Sequence, residues 1–539
     1  MGRNMARWLN KYWIGMVIVA TTVVYAPLAG RTGDERASQK SLETLTEIMG
    51  LVEKQAVDPP NSRQIAHAVI SGGLHTLDPH SYYMDETEFR AMRDEQRGSF
   101  FGIGSIIVQQ PDGIVIVSTV RGGPSEKVGL RAGDIIKEID GKSTDGWTSA
   151  AAVQKLRGEK GTVVEVAVQR MGFPGLVRFS ITRSEIPSNS VYYSFMLNPT
   201  TGFITIKDFG ETTAEEFERA VRNLKGQGMK ALILDLRFNG GGMLDAALGI
   251  CRQLLGPNEL IVTQRGRDNK DVVETRTPKG ASIDPFPMVV LINRGSASAS
   301  EIVTGAVQDH DRGLVVGQTS WGKGLVQAVM AINRTRGLAL TTARYYTPSG
   351  RCIQRDYMHG LDDYLLPDED TKESKEPAPP QGPKFKTDLG RVVYGSGGIT
   401  PDYVVDSGKL TTFVGNLRFR NSAFFKFAVL EKEKFGIKPQ QDPSDATMAR
   451  FKAWMAEQKI ECTEADWKDA QNQSDMRDQL GIEMQNVAYG VEAGFRYTSA
   501  RDPQVRKALE AMPEAEAMLK RKMLTFKQTP APAPKVAQQ

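Results

Sequence analysis

Hydrophobic and polar positions change period several times along the chain, and each change predicts a different element. Residues 13–29 form one apolar run behind a basic stretch with Arg3, Arg7 and Lys11. That is the layout of an export signal. The run is roughly 17 residues, near the lower limit for a spanning helix. Cleavage after Ala26 would face Pro27, and cleavage after Ala29 would put Pro27 at the minus-three position. An uncleaved anchor with its basic end in the cytoplasm is therefore expected, with a cleaved signal peptide as the alternative. Over 41–84 the period is helical: Leu42, Leu45, Ile48, Met49, Leu51 and Val52 share one broad face. It ends at Leu77-Asp78-Pro79-His80-Ser81-Tyr82, where Pro79 disfavours further helix.

From 98 to 183 the pattern becomes many short strands separated by glycine turns. Strands over 202–206 and 231–237 then flank an amphipathic helix over 213–225, with Phe217, Val221 and Leu224 on one side. The second of these strands runs into Phe238-Asn239-Gly240-Gly241-Gly242 and a helix over 243–255. Residues 289–293 are another apolar run. Only small residues follow from Gly295 to Ser300, and a helical pattern carries Ile302, Val303, Ala306 and Val307. A second run over 313–317 leads to Trp321-Gly322-Lys323-Gly324. Residues 362–383 are acidic and proline-rich, which predicts an exposed insertion. Helical patterns dominate 410–523, and the Pro-Ala tail from 529 is expected to be disordered.

At 539 residues the chain is long enough for two to four domains. Charged residues at 24% and hydrophobic ones at 40% are those of an ordinary globular protein. A net charge of +4 gives no reason to expect a nucleic-acid partner. Cys251, Cys352 and Cys462 are too scattered for a disulfide framework or zinc spacing, and five histidines leave little for a His-ligated metal. No metal and no cofactor are expected.

A strand that enters a helix through small residues puts a side chain at the helix N-terminus, where free N–H groups and the dipole favour negative charge. A serine there is a candidate nucleophile, and the following N–H a candidate oxyanion donor. Lys323, flanked by two glycines, can be enclosed rather than solvated. Burial would lower its pKa and leave the free amine that can take a hydroxyl proton. Glu301, on the helix face of Ser298, either orients the site or stabilises the helix start. Three glycines after the 231–237 strand suit an oxyanion site. Asp235 and Arg237 are expected to pair structurally.

Ser296-Ala297-Ser298-Ala299-Ser300-Glu301, together with Trp321-Gly322-Lys323-Gly324 and Gln327, resembles the core motifs of the carboxy-terminal processing (tail-specific) proteases, serine peptidases with a Ser–Lys dyad. The resemblance implies Ser298 as nucleophile, Lys323 as base and Gln327 as a residue that helps hold the lysine. It implies an oxyanion hole from the N–H of Gly241 or Gly242 with that of Ala299. Phe101-Gly102-Ile103-Gly104 with the 124–136 stretch resembles a PDZ domain, whose glycine loop receives a peptide carboxylate while the peptide adds as a strand. Ile103 and Ile106 are the expected pocket residues. The hexapeptide at 77–82 is also of the family's style, and His80 is read as a loop residue. The blocks over 341–350 and 398–402 match those that close the protease core.

The expected fold is an α+β multidomain protein: a crotonase/ClpP-like α/β protease core with an inserted PDZ domain and helical N- and C-terminal regions. The expected boundaries are an anchor or signal over 1–30, a helical region over 31–97, the PDZ domain over 98–185 and the protease core over 186–405, with a flexible insertion over 360–386. A helical region over 406–528 and a disordered tail over 529–539 follow. The expected function is a serine endopeptidase that cuts exported proteins near their C-termini, on the periplasmic side of a bacterial inner membrane. Expected partners are proteins or peptides with accessible C-termini, a second copy through the helical regions, and a regulatory protein. The alternative is a membrane-anchored PDZ scaffold with an inactive core. A Ser-His-Asp triad with His310 and Asp309 is the disfavoured rival, because eleven residues of one helix span about 16 Å, too far for a hydrogen bond. Asp309 is instead expected to pair with Arg312 or cap structure.

Overall fold

The computed structural model describes residues 32–528, apart from 59, 111, 121, 171, 282, 358–363 and 365–381. The predicted anchor and tail lie outside the described residues, as does most of the predicted insertion. Among the described residues no helix is long and apolar enough to cross a membrane.

The chain divides into two compact units, 1–74 and 75–539. In the first, helix Thr32–Gln55 is followed by the start of helix Ser62–His75, and Ser62 Oγ donates to Glu53 Oε1 at 2.6 Å. The helical period read over 41–84 stops earlier than that, because Tyr82–Met84 is a strand paired antiparallel with Gly337–Tyr346.

The centre of the second unit is a six-stranded sheet. Its order is Val191–Met196, Thr201–Ile206, Ala231–Asp235, Met288–Ile292, Leu314–Gly317 and Tyr403–Val404. Only the first pair is antiparallel. Ala231–Asp235 and Met288–Ile292 are buried at every position, as parallel strands covered on both faces must be. Alternate side chains separate the two faces. Leu232, Leu234, Val290 and Ile292 pack with helices Thr213–Gly226, Leu244–Leu254 and Ala299–Asp309. Ile233, Val289 and Leu291 face Val505, Ala508, Ala511 and Ala515 of the last helix, Pro503–Gln528. The two helices that precede the site therefore share one layer with it, and the far end of the chain makes the opposite layer.

A second sheet carries the lysine motif. Strand Leu325–Ala331 pairs with Gly337–Tyr346, which also pairs with Tyr82–Met84 and Leu260–Arg265. A third sheet, fully antiparallel, is built from Ser105–Gln110, Gly113–Thr119, Ile135–Ile139, Val163–Gln169 and Leu176–Thr182. Strands Ser99–Gly102 and Ser184–Pro187 pair with each other where the chain enters and leaves it, so the sheet is inserted on a two-stranded stem. Its Val115 and Ile135 meet the helices Thr412–Phe419, Ala423–Phe435, Asp445–Glu457 and Ala470–Tyr489 through Phe424, Phe427 and Met484.

Candidate functional site

Helix Ala299–Asp309 is buried along its whole length. Between strand Met288–Ile292 and this helix, every residue of the turn is held. Asn293 Oδ1 accepts from Gly295 and from Phe238 of the neighbouring glycine loop. Ser296 Oγ donates to Leu236 O at 2.8 Å, and Ser300 Oγ to Asn239 O at 2.9 Å. Both hydroxyls are buried and spent on stitching the two strand-to-helix turns together. Ser298, the middle serine, is partly exposed and has φ 54°, ψ −113°. A non-glycine residue at such angles costs on the order of 1–3 kcal/mol and persists only where its surroundings impose it.

Gly241 is one of those surroundings. A Cβ at this position would lie 2.8 Å from Ser298 Cβ and 3.0 Å from Ala299 N, so only glycine lets the loop approach this closely. The Gly241 N–H donates to Asn239 Oδ1 at 2.9 Å. Among the described residues the N–H groups of Gly242 and Ala299 donate to no acceptor.

Glu301 joins the two halves of the site. Its carboxylate is fully buried and accepts from Ser298 N–H at 2.8 Å, Gly322 N–H at 2.7 Å, Lys323 N–H at 2.9 Å and Ser320 Oγ at 2.5 Å. Burial pushes this carboxyl upward from its ordinary value, against those four hydrogen bonds. The two alternatives read for Glu301 are thus one arrangement: by holding the helix start, it also holds the lysine loop.

Lys323 is partly exposed and flanked by close contacts. A Cβ on Gly322 would meet Gly398 N at 2.9 Å, and one on Gly324 would meet Gln354 N at 2.9 Å. Burial lowers the lysine pKa, while the charges of Glu301 and Asp78 resist the shift. No hydrogen bond joins Ser298 Oγ to Lys323 Nζ among the described residues. Gln327 reaches Thr341 Oγ1 at 3.5 Å, a long contact, and not the lysine. Thr341 Oγ1 donates onward to Asp78 Oδ1 at 3.0 Å. Tyr345 OH donates to the Ser298 carbonyl at 3.1 Å.

Sequence reasoning passed over several of these groups. Asp78 accepts four hydrogen bonds, from the N–H groups of His80 and Ser81 and the hydroxyls of Ser81 and Thr341. His80 lies by the lysine, and its Nε2 is 2.7 Å from Tyr364 OH, which accepts from Trp321 Nε1 at 3.0 Å. Burial first, and then the Lys323 charge, drive the His80 pKa down to about 4. The 77–82 hexapeptide was the only signal for this turn. Tyr364, inside the segment read as an exposed insertion, is buried against His80 and Trp321.

Of the two expectations for Asp309, a pair with Arg312 or a structural cap, the pair does not form, while its Oδ2 accepts from the Ser349 N–H at 3.0 Å. Asp309 binds Arg351 at 2.6 Å and Ser349, while Arg312 donates to the carbonyls of Leu254, Phe286 and Asp284. Arg312 is fully buried and turns from the helix end toward backbone carbonyls of the interior, and Arg351 arrives from far along the chain, which spacing could not reveal. Asp235 and Arg237 do pair, and Arg237 also holds Asp502 at 2.5 Å. His310 is remote in role: its ring nitrogens contact Asp388 Oδ2 at 2.8 Å and Leu260 O at 2.7 Å. Glu259, His310 and Asp388 form the one group with metal-ligand spacing among the described residues, and the Lys522 ammonium is hydrogen-bonded to Glu259 there.

In the inserted sheet, Ser105–Gln110 is an edge strand, with Ile106 half-buried. Phe101 and Gly102 belong to the two-stranded stem, and Phe101 is exposed. Gly104 has φ +70°. Ile103, expected in a pocket, is 3% exposed and sits in the core with Ile114 and Leu130. Its carbonyl is tied down by Ser125 N–H and Oγ, which turns the side chain inward with the loop.

A strained serine at a helix start, a glycine-flanked lysine and a glycine loop at the end of a parallel strand are the layout of a serine hydrolase. Residues 200–363 match peptidase family S41, and residues 91–169 match the PDZ domain. The chain is 35% identical over 347 residues to the carboxy-terminal-processing protease of Bartonella bacilliformis, covering 64% of this chain and 79% of that one. It is 34% identical to carboxy-terminal processing protease CtpB of Bacillus subtilis, over 61% of this chain and 68% of that one. Among solved structures it is similar to a photosystem II D1 C-terminal processing protease, with 26% identity, 67% of this chain and 92% of that one covered, and a TM-score of 0.34. The chain belongs to the carboxy-terminal-processing proteases of peptidase family S41 and is a serine-type peptidase with a PDZ domain.

Proposed function

We propose that the protein is an endopeptidase that cleaves exported proteins near their C-termini, with Ser298 as nucleophile and Lys323 as its base. The observation that carries this is Glu301, whose single carboxylate holds the backbone of both residues. Neutral Lys323 takes the Ser298 hydroxyl proton as Oγ bonds to the peptide carbonyl carbon. The protonated lysine returns that proton to the leaving amine as the C–N bond breaks. Water then hydrolyses the acyl-enzyme by the same route, with Lys323 again the base. Among the described residues the N–H groups of Gly242 and Ala299 donate to no acceptor, and they suit the developing oxyanion better than Gly241, whose N–H is engaged by Asn239. Gln327, linked to Thr341, supports the lysine hairpin. The PDZ glycine loop and the free edge of Ser105–Gln110 receive the substrate's tail. The basic and apolar segment at residues 1–30 supports export to the cell envelope and anchoring at the outer face of the inner membrane.

The test is cleavage of an unfolded protein substrate by purified full-length variants. Ser298→Ala and Lys323→Ala should each fold and be equally inactive, because residues that act as a unit are not additive. Wild-type activity should rise with pH through an ionisation below the roughly 10.4 of a free lysine, since only the neutral amine can accept the proton. Cleavage by Ser298→Ala at the wild-type rate would end the reading.

A further inference from the structure

We propose that Asp78 is a positioning residue of the active site, a second buried carboxylate that acts on Lys323 from the turn before strand Tyr82–Met84, as Glu301 does from the helix. The inference rests on Lys323 being the base. Asp78 is 5% exposed and lies at the centre of a closed set of bonds. Ser81 Oγ donates to Asp78 Oδ2 at 2.6 Å, and the N–H groups of His80 and Ser81 donate to Oδ1 at 2.8 and 2.9 Å. A four-residue turn this well satisfied does not need a carboxylate for its own shape, since an asparagine oxygen could accept the same N–H bonds.

What the carboxylate adds is a link to the lysine hairpin. Thr341 Oγ1 donates to Asp78, and Thr341 pairs with Gln327 on strand Leu325–Ala331, which starts just after Gly324. The Thr341 N–H also donates to Ser81 Oγ at 3.1 Å. The turn thus grips, by two bonds, the strand that pairs with the one following Lys323, and from there the Asp78 charge acts on the lysine. Burial would raise the Asp78 pKa, but its hydrogen bonds hold it below the usual carboxylate value, so the charge is present at neutral pH.

The other groups around Lys323 leave this role open. Glu301 supplies the first carboxylate. His80 is neutral, with its Nε2 beside Tyr364 OH. Burial raises the phenols of Tyr345 and Tyr364, so neither brings a charge. Arg355, whose N–H donates to the Gly322 carbonyl, lies over the Trp321 ring and adds like charge to the loop. Two carboxylates opposing burial would keep the lysine pKa within working range and keep its side chain in the site.

The experiment compares the pH dependence of kcat/KM for full-length wild type, Asp78→Asn and Ser81→Ala on one unfolded protein substrate. Removing the Asp78 charge should move the rising limb to lower pH by about one unit. At pH values below the wild-type midpoint, Asp78→Asn should therefore reach a larger fraction of its own plateau than wild type does. Ser81→Ala loosens the turn but keeps the charge, so its limb should stay in place even if its plateau and Tm fall. Where Asp78→Asn yields little folded protein, the pH dependence of labelling by a serine-reactive phosphonate gives the same limb from a trace of native enzyme. An unmoved limb in Asp78→Asn, or an equal shift in Ser81→Ala, would overturn the role. If Lys323→Ala is itself active, the base assignment fails instead, and the two failures are separable.

Discussion

Ser296, Ser298 and Ser300 are chemically identical and within five positions of one another, yet the fold treats them differently. The outer two are buried and donate to backbone carbonyls of the glycine loop. The middle one is partly exposed and sits at a positive φ of 54°. Ser296→Ala takes the acceptor from the buried Asn293 N–H and should cost about 1–3 kcal/mol, whereas Ser300→Ala removes one of two donors to the Asn239 carbonyl and should cost about 0.5–1.5 kcal/mol. Both should still cleave, with a lowered Tm in thermal unfolding and kcat within about tenfold of wild type. Loss of cleavage in either, with the fold intact, would put the nucleophile elsewhere.

The site is made where two strand-to-helix turns touch, and the contact between these elements is governed by the missing side chain of Gly241. Gly241→Ala would bring a methyl to 2.8 Å from Ser298 Cβ and 2.9 Å from the Ala297 carbonyl, at a φ of +103° that alanine rarely adopts. The loop must move, and Ser298 must move with it. The expected result is a fall in kcat of at least about a hundredfold, comparable to losing an oxyanion donor. Affinity of the PDZ domain for a tail peptide should be unchanged, which fluorescence anisotropy would measure beside the cleavage rate. Normal kcat would mean that the glycine serves packing alone.

At the scale of the whole molecule, two distant parts serve the core. The last helix covers the second face of the central sheet and inserts Lys522 between Glu259 and the His310 carbonyl. Lys522→Met removes one partner of a buried charge pair, for which about 3–5 kcal/mol is the usual cost. Chemical denaturation should show that loss. Burial opposes charge on His310, but Asp388 and Glu259 outweigh it and raise the pKa. His310 therefore contributes stability at low pH that fades as pH rises through its raised value, and the fade should be smaller without the Asp388 partner. The inserted PDZ sheet should set substrate choice through its free edge. One protein substrate carrying a free, amidated or Asp-Asp-ended C-terminus should be cut fastest with the free apolar end, while a short generic peptide is cut equally well throughout. Equal rates for all three ends would assign the PDZ domain another role.

Much of this protein was legible in its residues because the informative patterns are local. Alternating and continuous apolar runs marked strands over 202–206, 231–237 and 289–293, which the structure has as Thr201–Ile206, Ala231–Asp235 and Met288–Ile292, and small residues before Ile302 marked a tight entry to a helix. The motifs around Ser298 and Lys323 marked the peptidase family, and the Gly-flanked lysine predicted the crowding found at Gly322 and Gly324. What tertiary structure alone decided are the contacts between parts far apart in sequence. Three of the four bonds to Glu301, from Ser320, Gly322 and Lys323, needed the lysine loop beside it, and Asp78 needed the hairpin at Thr341. Asp309 chose Arg351 over the nearer Arg312, because a helix end fixes where each side chain points and the closer residue points away. Ile103 went into the core, since an apolar residue beside an inward-turned carbonyl gains more from burial there than at an open edge. Periodicity is set by neighbours along the chain, whereas hydrogen-bond partners and buried charges are chosen by what folding brings within a few ångströms.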